Sequence, residues 1–500
     1  MKAWQYGLIA LLLGALMPLA YAPYHLYPLS LLSLSGLFYL WSKSSPGRAF
    51  LYGFLFGLAM FGAGVNWVFI SIHEYGYVPL GLSILLTLLF VAVLALFPAL
   101  CGYIAGLINR QQVNASRVSV GLFILWGLPS LWMLFEWLRG WFLTGFPWLH
   151  IGYAFIDTPL AGYAPLLGVY GVSLIAAASS ALLLQMLIHQ PGKINGRYLL
   201  IIMLVWGCGG LLYKIDWTQQ VGQTLRVSLV QGNIPQEMKW LAGMKEPTLQ
   251  RYAGLTREHW DSDIVIWPET AIPMFSYQAY EFLDAMKAEA ILNDTELLVG
   301  LVYQDPVTAA YYNSMVGLGI EGGRYDKQHL VPFTEYLPFK TLLAGVIDIL
   351  DVPMSDFSSG GIDQQPLRLA GQPLGISICF EDAFGEEVIR SLPVATLLVN
   401  VSNDAWFAGS IAPEQHLQMA RMRALESQRE LMRATNTGVS AFIAANGKVK
   451  QQAPQFATEV LTHDVQPRSG ATPYVYLGNV PALIGASVLL VAVFFTRRKQ

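Results

Sequence analysis

The sequence predicts two parts, a polytopic α-helical membrane domain of about eight transmembrane helices and an α/β domain held outside the cytoplasm. Three observations predict it. The 500 residues are 54% hydrophobic and only 13% charged, with a mean hydropathy of +0.45, too apolar for an ordinary soluble protein. Apolar runs long enough to cross about 30 Å of hydrocarbon recur along the chain. Between the last two of them, from about Lys214 to Pro473, the pattern changes to short β-branched runs and amphipathic stretches.

The spans read as Gln5 to Tyr21, Leu26 to Trp41, Phe50 to Ile72, Val78 to Leu107, Val118 to Phe142, Leu160 to Ile188, Tyr198 to Tyr213, and Tyr474 to Phe495. The first resembles a signal peptide, with Lys2, an apolar core and an Ala20-Tyr21-Ala22 site. Pro23 and the apolar run after it argue against cleavage, so an uncleaved helix is expected. Orientation follows from the basic residues, which are retained on the cytoplasmic side. Lys2, Lys43, Arg48, Arg110, Arg117, Lys193 and Arg197 lie before or between spans in alternate connections, and Arg497, Arg498 and Lys499 follow the last. The intervening connections, Ala22 to His25 and His73 to Tyr77, have none, and Arg139 sits only at the edge of another. Both termini are therefore expected in the cytoplasm and the segment after Lys214 outside it, in the periplasm of a double-membrane bacterium. The expected division is a membrane domain at 1–213 with seven transmembrane helices, an outer domain at 214–470, and an eighth helix with a cytoplasmic tail at 471–500.

In the outer domain, strands are expected at Leu225 to Val230, Ile264 to Trp267, Leu297 to Tyr303, Ser314 to Ile320, Leu374 to Cys379 and Ala395 to Val401. A hairpin is expected over Gly438 to Lys450, turning at Asn446-Gly447. Helices are expected at Tyr277 to Leu292 and Pro413 to Met432, the latter with Leu417, Ala420, Ala424, Leu425 and Leu431 on its apolar face. Several strands lead into hairpins instead of helices, which favours a layered sandwich over a doubly wound sheet. A net charge of -3 and the lack of a basic stripe with interleaved aromatics exclude nucleic acid as a partner. There is no glycine-rich phosphate loop, no His-Glu-x-x-His and no paired Cys-x-x-Cys, so neither a metal nor a cofactor is expected.

Three stretches put ionisable groups where an apolar run ends. Cys379 closes Gly375-Ile-Ser-Ile-Cys and is followed by Phe380, Glu381 and Asp382. A thiol at a strand-to-helix turn lies near backbone N–H groups and the positive end of a helix, both of which favour the thiolate; a buried structural cysteine fits the same stretch. Cys101 and Cys208 fall in apolar spans, which leaves Cys379 without an evident disulfide partner. Glu269 follows Ile264-Val-Ile-Trp-Pro, where partial desolvation suits a general base; a solvated loop glutamate fits too. Lys327 lies in Tyr325-Asp-Lys-Gln-His-Leu-Val-Pro-Phe-Thr-Glu335 and fits either a surface ion pair or a site lysine.

Taken together, Trp-Pro-Glu, then Asp-Lys-x-x-Leu-x-Pro-Phe-x-Glu, then Ile-Cys-Phe-Glu closely resembles the Glu-Lys-Cys triad of the nitrilase, or carbon–nitrogen hydrolase, superfamily over about Thr224 to Val465. That resemblance implies a nitrilase-like α-β-β-α sandwich, with Glu269 as base, Lys327 as oxyanion stabiliser and Cys379 as nucleophile. With its apolar spans, the whole chain resembles the apolipoprotein N-acyltransferase family of the bacterial inner membrane. Trp240, Glu335, Glu381 and the Asn403-to-Phe407 stretch containing Trp406 match that family's pattern. Phe380 departs from it, since tyrosine is expected after the nucleophile; this position keeps a ring for packing and has no phenolic hydroxyl.

The implied reaction is a ping-pong acyl transfer. Cys379 takes an acyl chain from a phospholipid, phosphatidylethanolamine by the resemblance, and passes it as a thioester to the α-amine of the diacylglyceryl-cysteine of an apolipoprotein. Glu335 and Glu381 fit carboxylates that position Lys327 and the base, or simple surface carboxylates. Trp240 and Trp406 fit a lipid pocket or plain packing. His416 reads as structural, because the triad needs no further base. The apolar Leu342 to Met354 fits a loop dipping into lipid or a core helix. Two alternatives stay open: a membrane-anchored amidase or nitrilase that hydrolyses a small C–N substrate, and a catalytically silent lipid-binding domain on a transporter-like base. The second is weakened by the scarcity of ionisable residues in the spans, where Glu136 is the clearest.

Overall fold

The structure, a computed structural model, describes residues 2–110, 117–189, 195–338 and 356–498. The Leu342 to Met354 stretch lies outside them. The chain divides into two compact units: Met1–Phe69, Pro79–Ile215 and Tyr476–Gln500 form one, and Ile70–Val78 with Asp216–Val475 the other.

The first unit is helical. Among the described residues, five helices are long and apolar enough to cross a membrane, Ala3–Ala20, Pro46–Gly64, Leu80–Arg110, Val120–Thr144 and Pro159–Ile188, and three shorter apolar ones are Pro28–Ser42, Gly196–Leu212 and Val480–Val493. The expected Phe50-to-Ile72 span is corrected: its helix ends at Gly64, and from Ile70 the chain belongs to the other unit. Small residues let helices touch without a water-driven core. A Cβ on Gly53 would stand 2.3 Å from the Pro98 carbonyl oxygen, so Pro46–Gly64 meets Leu80–Arg110 backbone to backbone. Glu136 is also accounted for. Its Oε1 accepts from Trp132 Nε1 (2.9 Å) and from the Ile151 amide (2.8 Å), while Arg139 Nη1 donates to the Phe146 carbonyl at 2.7 Å. These side chains satisfy an irregular backbone that lipid would leave unpaired.

The second unit is built from strands β1 (Thr218–Gln220), β2 (Leu225–Gln231), β3 (Ile264–Ile266), β4 (Ile272–Phe275), β5 (Glu296–Gln304), β6 (Tyr311–Leu318) and β7 (Gly323–Asp326). Then come β8 (Leu367–Leu369), β9 (Gln372–Ile378), β10 (Leu397–Ser402), β11 (Leu431–Thr435), β12 (Ala441–Ile443), β13 (Val449–Gln452), β14 (Glu459–Val465) and β15 (Arg468–Gly470). Among the described residues, one sheet has the order β14-β2-β3-β5-β6-β7, with β4 beside β5, and a second has β13-β12-β11-β10-β9-β8. Pairing is parallel through β2-β3-β5 and through β9-β10-β11, and antiparallel at the flanks.

Strand alternation explains the layering. Ile264 and Ile266 point into a core shared with Ile376, Ile378, Val399 and Met432 of the other sheet. Val265, between them, faces Tyr252 and Met286 of the covering helices Lys245–Arg257 and Tyr280–Leu292. On the far side, Leu398 and Leu431 pack on Leu417, Ala420 and Ala424 of the Ala412–Ser427 helix. This is the α-β-β-α sandwich. One expectation fails: the helix predicted to Met432 stops at Ser427, where Gln428 turns left-handed at φ 46°, and Leu431 begins a fully buried strand. A β-branched-poor segment hid that strand, because Leu, Met and Ala suit a helix equally well.

Candidate active site

β3 ends against Trp267, whose buried indole donates to Thr256 Oγ1 at 2.9 Å, and the chain turns through Pro268 so that Glu269 leaves the sheet edge. The turn lies directly on β5. A Cβ on Gly300 would stand 2.3 Å from the Pro268 carbonyl oxygen and 3.0 Å from Glu269 Cα, so this position needs glycine. β7 delivers Lys327, whose amide donates to the Asn313 carbonyl of β6 at 2.8 Å. β9 delivers Cys379 at φ 54°, a left-handed conformation that a side chain adopts only at a cost.

The predicted residues converge. Lys327 Nζ lies 2.9 Å from Glu335 and 3.6 Å from Glu269 Oε1. Asn313 Nδ2 bridges the same two carboxylates, donating to Glu269 Oε1 (2.7 Å) and Glu335 Oε1 (2.9 Å). The Asn403 amide donates to Glu269 Oε2 at 2.8 Å, and the Val331 amide to Glu335 Oε2 at 2.7 Å. Neither carboxylate is a surface group: Glu335 is 8% exposed and Glu381 2%. Glu381 ties the lysine segment to the cysteine strand. It accepts from the amides of Gln328 (2.6 Å), His329 (3.1 Å) and Ile378 (2.6 Å) and from the Tyr325 hydroxyl (3.0 Å). Burial nonetheless pushes its carboxyl up to about 7, with the amide bonds opposing.

Burial alone depresses the Lys327 ammonium, but Glu335 and Glu269 outweigh it and hold the group charged. Cys379 corrects an expectation. Its turn is a short 3-10 segment, Cys379–Ala383, followed by the four-residue Gly385–Val388, too short to supply much dipole. Burial, and then the Glu269 charge, push the thiol up, and Lys327 opposes them only in part. The resting sulfur is a neutral thiol within the fields of Glu269 and Lys327.

The aromatic predictions divide. Trp240 is 39% exposed and is not a packing residue of the core. Trp406 is half-buried: its carbonyl accepts from Ser71 Oγ at 2.8 Å, and its ring stands 5.9 Å from Tyr75, edge to face. Phe380 stacks edge-on with Phe384 at 4.9 Å and with His329 at 5.7 Å, so ring packing needs no hydroxyl. Asn313 and Lys239 were not legible as site residues, and Asn403 was legible only as part of the Asn403-to-Phe407 stretch. Lys239 Nζ lies 3.5 Å from the Glu269 carbonyl, and burial brings its ammonium down to about 8. A polar residue inside an apolar strand, as Asn313 is in β6, was the one available signal. Among the described residues, no group of three or more His, Cys, Asp or Glu is placed to hold a metal ion.

A buried acid and lysine beside a partly buried thiol at converging sheet edges can deprotonate the sulfur and stabilise an oxyanion. The family model described as apolipoprotein N-acyltransferase N-terminal domain matches residues 13–182, and carbon-nitrogen hydrolase matches residues 226–474. An apolipoprotein N-acyltransferase of Methylococcus capsulatus is 47% identical over 99% of this chain and 96% of its own length. That of Nitrosomonas europaea is 45% identical over 98% of each chain, and that of Coxiella burnetii 39% over 98% of this chain and 99% of its own.

Proposed function

The chain belongs to the apolipoprotein N-acyltransferase family and N-acylates apolipoproteins, and from that premise we propose that Cys379 carries the acyl chain as a thioester between a phospholipid and the lipoprotein amine. The observation that carries this reading is the convergence of Glu269 and Lys327 on one buried ion pair whose charges both act on the Cys379 thiol.

Glu269 takes the proton from Cys379 Sγ, and the thiolate attacks the ester carbonyl of the phospholipid. The oxyanion forms beside the Lys327 ammonium and the Phe380 amide; loss of one such donor costs about 2.7–4 kcal/mol of transition-state stabilisation. Collapse breaks the ester C–O bond, and the leaving alcohol oxygen takes the proton from Glu269, releasing a lysophospholipid. The free α-amine of the diacylglyceryl-cysteine then attacks the thioester. Its proton passes through Glu269 to the departing sulfur, leaving an amide and the free thiol. Phosphatidylethanolamine is the donor in this scheme. Glu335 and Glu381 position Lys327 and the Cys379 strand, and Trp240 and Trp406 border the lipid path.

The division into a membrane domain at 1–213, a catalytic domain at 214–470 and a last helix and tail at 471–500 belongs to the same proposal. So do eight membrane crossings, an inner-membrane location, a periplasmic catalytic domain and cytoplasmic termini. The basic residues Lys43, Arg48, Arg110 and Arg197 in alternate connections support this orientation. The test of the chemistry is incubation of the purified protein with labelled phospholipid, followed by mass spectrometry. An acyl adduct on Cys379 that a diacylated lipopeptide discharges is expected. No adduct with the wild type, or an unchanged adduct in Cys379→Ser, would sink it.

A further inference from the structure

A second buried cluster lies on the carbonyl side of the nucleophile, and the reaction scheme above does not use it. Asp382, Asp404, His416 and Arg433 come from four separate elements and are each at most 1% exposed. His416 Nδ1 is 3.1 Å from Asp404 Oδ1, and its Nε2 is 2.8 Å from Asp382 Oδ1. Arg433 completes the ring at 2.9 Å from Asp404 Oδ2 and 3.4 Å from Asp382 Oδ2. Carboxylates only accept, so an imidazole facing one on each nitrogen donates from both and is cationic. Its pKa agrees: burial and Arg433 press it down, but the two aspartates prevail and raise it to about 9.

The quartet touches the nucleophile's backbone directly through His416, and the Asp404 charge also acts on its thiol. His416 Nε2 is also 3.2 Å from the Cys379 carbonyl oxygen, and Asn400 Nδ2, held by Ser377 Oγ at 3.1 Å, donates to the same oxygen at 3.2 Å. Asn400 in turn accepts from Arg433. The peptide joining Cys379 to Phe380 is planar and trans, so its C=O and N–H point in opposite directions from one rigid plate. Gripping the oxygen therefore aims the Phe380 N–H. It also stabilises the left-handed φ of 54° at Cys379, a conformation that needs support from its surroundings.

We propose that His416, as an imidazolium within this neutral quartet, is a positioning residue that locks the Cys379–Phe380 peptide so that the Phe380 N–H faces the developing oxyanion. The inference rests on the acyl-thioester reading. It assigns to His416 an effect on the rate of acyl loading and none on phospholipid binding.

The test measures, by quenched-flow mass spectrometry of the full-length enzyme in detergent micelles, the rate constant and half-saturating phospholipid concentration for loading Cys379, per folded molecule. His416→Gln removes the cation and leaves the aspartates in excess, which endangers folding. The double variant Asp382→Asn/His416→Gln restores neutrality and serves where the single one does not fold. In either variant the loading rate constant is expected to drop at least about tenfold, the loss of a good part of one oxyanion interaction, with half-saturation changed less than about twofold. Loading at the wild-type rate per folded molecule would overturn the positioning role while leaving the thioester scheme intact. A wild-type enzyme that never loads Cys379 would overturn both. A variant whose half-saturation rises in step with its rate loss would make the quartet part of the binding site and reject the assignment.

Discussion

Two buried charge clusters flank Cys379, and they differ in their balance. On the side-chain face, Lys327 is ion-paired with both Glu269 and Glu335, one cation against two carboxylates, while Lys239 reaches only the Glu269 backbone carbonyl at 3.5 Å. On the carbonyl face, His416 and Arg433 oppose Asp382 and Asp404, two against two. A ring whose charges balance spends its outward hydrogen bonds on the Cys379 carbonyl and on Asn400, and it suits holding a backbone still. A cluster with a carboxylate in excess retains a base, and it suits moving a proton. Burial is common to both; what separates a reactive cluster from a holding one is the charge left over.

The largest break in this comparison is Lys327→Met. It removes the cation from the reactive cluster and leaves Glu269 and Glu335 buried together. Acyl loading should fall by about 10²–10³, and unfolding free energy by about 3–5 kcal/mol, read from adduct formation and denaturant melts. Loading at the wild-type rate would remove Lys327 from the oxyanion role. A smaller break is Gly300→Ala, whose new methyl meets the Pro268 carbonyl at 2.3 Å and must displace the Glu269 turn. Overpacking of this kind costs about 1–3 kcal/mol. Loading should slow well beyond what the lost fold accounts for, because the carboxylate moves from its sulfur, and an enzyme with normal turnover would show that the turn is free to shift.

The mildest test is pH. His416 carries a folded pKa of about 9 against an ordinary 6.5, so its contribution to stability is complete below 6.5 and drains away as pH rises through about 9. The groups facing it are Asp382 after β9, Asp404 after β10, Arg433 of β11 and the Cys379 carbonyl. The thermal midpoint should therefore decline over that window, and the decline should flatten in Asp382→Asn/His416→Gln. A wild-type midpoint constant across the window would mean that the quartet is not charged as argued.

The residues proposed to react were the legible ones. Glu269 and Cys379 stand where apolar strands run out, a pattern that exists in one dimension, whereas Lys327 follows Gly-Arg-Tyr-Asp and was legible only through the motif around it. Glu335 and Glu381 were legible only as carboxylates without a settled place, because burial is a property of the fold and not of the residue. Asn313 offered only a polar residue within a strand and Asn403 only its place in the Asn403-to-Phe407 stretch; their roles were hidden because what they bind lies 44 and 134 residues away. His416 reads as structural in the sequence because the triad needs no further base, and its contacts with Asp382, Asp404 and the Cys379 carbonyl come from other elements. The expected thiolate-favouring turn also failed. Its rationale was local, a helix dipole, whereas the thiol is governed by burial and by Glu269 across the sandwich.

By itself, the order of apolar runs determined that this is a membrane protein, and the resemblance of its Trp-Pro-Glu, Asp-Lys and Ile-Cys-Phe-Glu motifs to carbon–nitrogen hydrolases pointed to a domain of that type with a cysteine at its centre. Alternation and hydropathy are read residue by residue, and they need no contact map. Only the tertiary structure decided which polar residues are buried, how their charges sum and which oxygen of the nucleophile's own backbone is held. Those quantities depend on distances between segments far apart in the chain, and a sequence carries no distances.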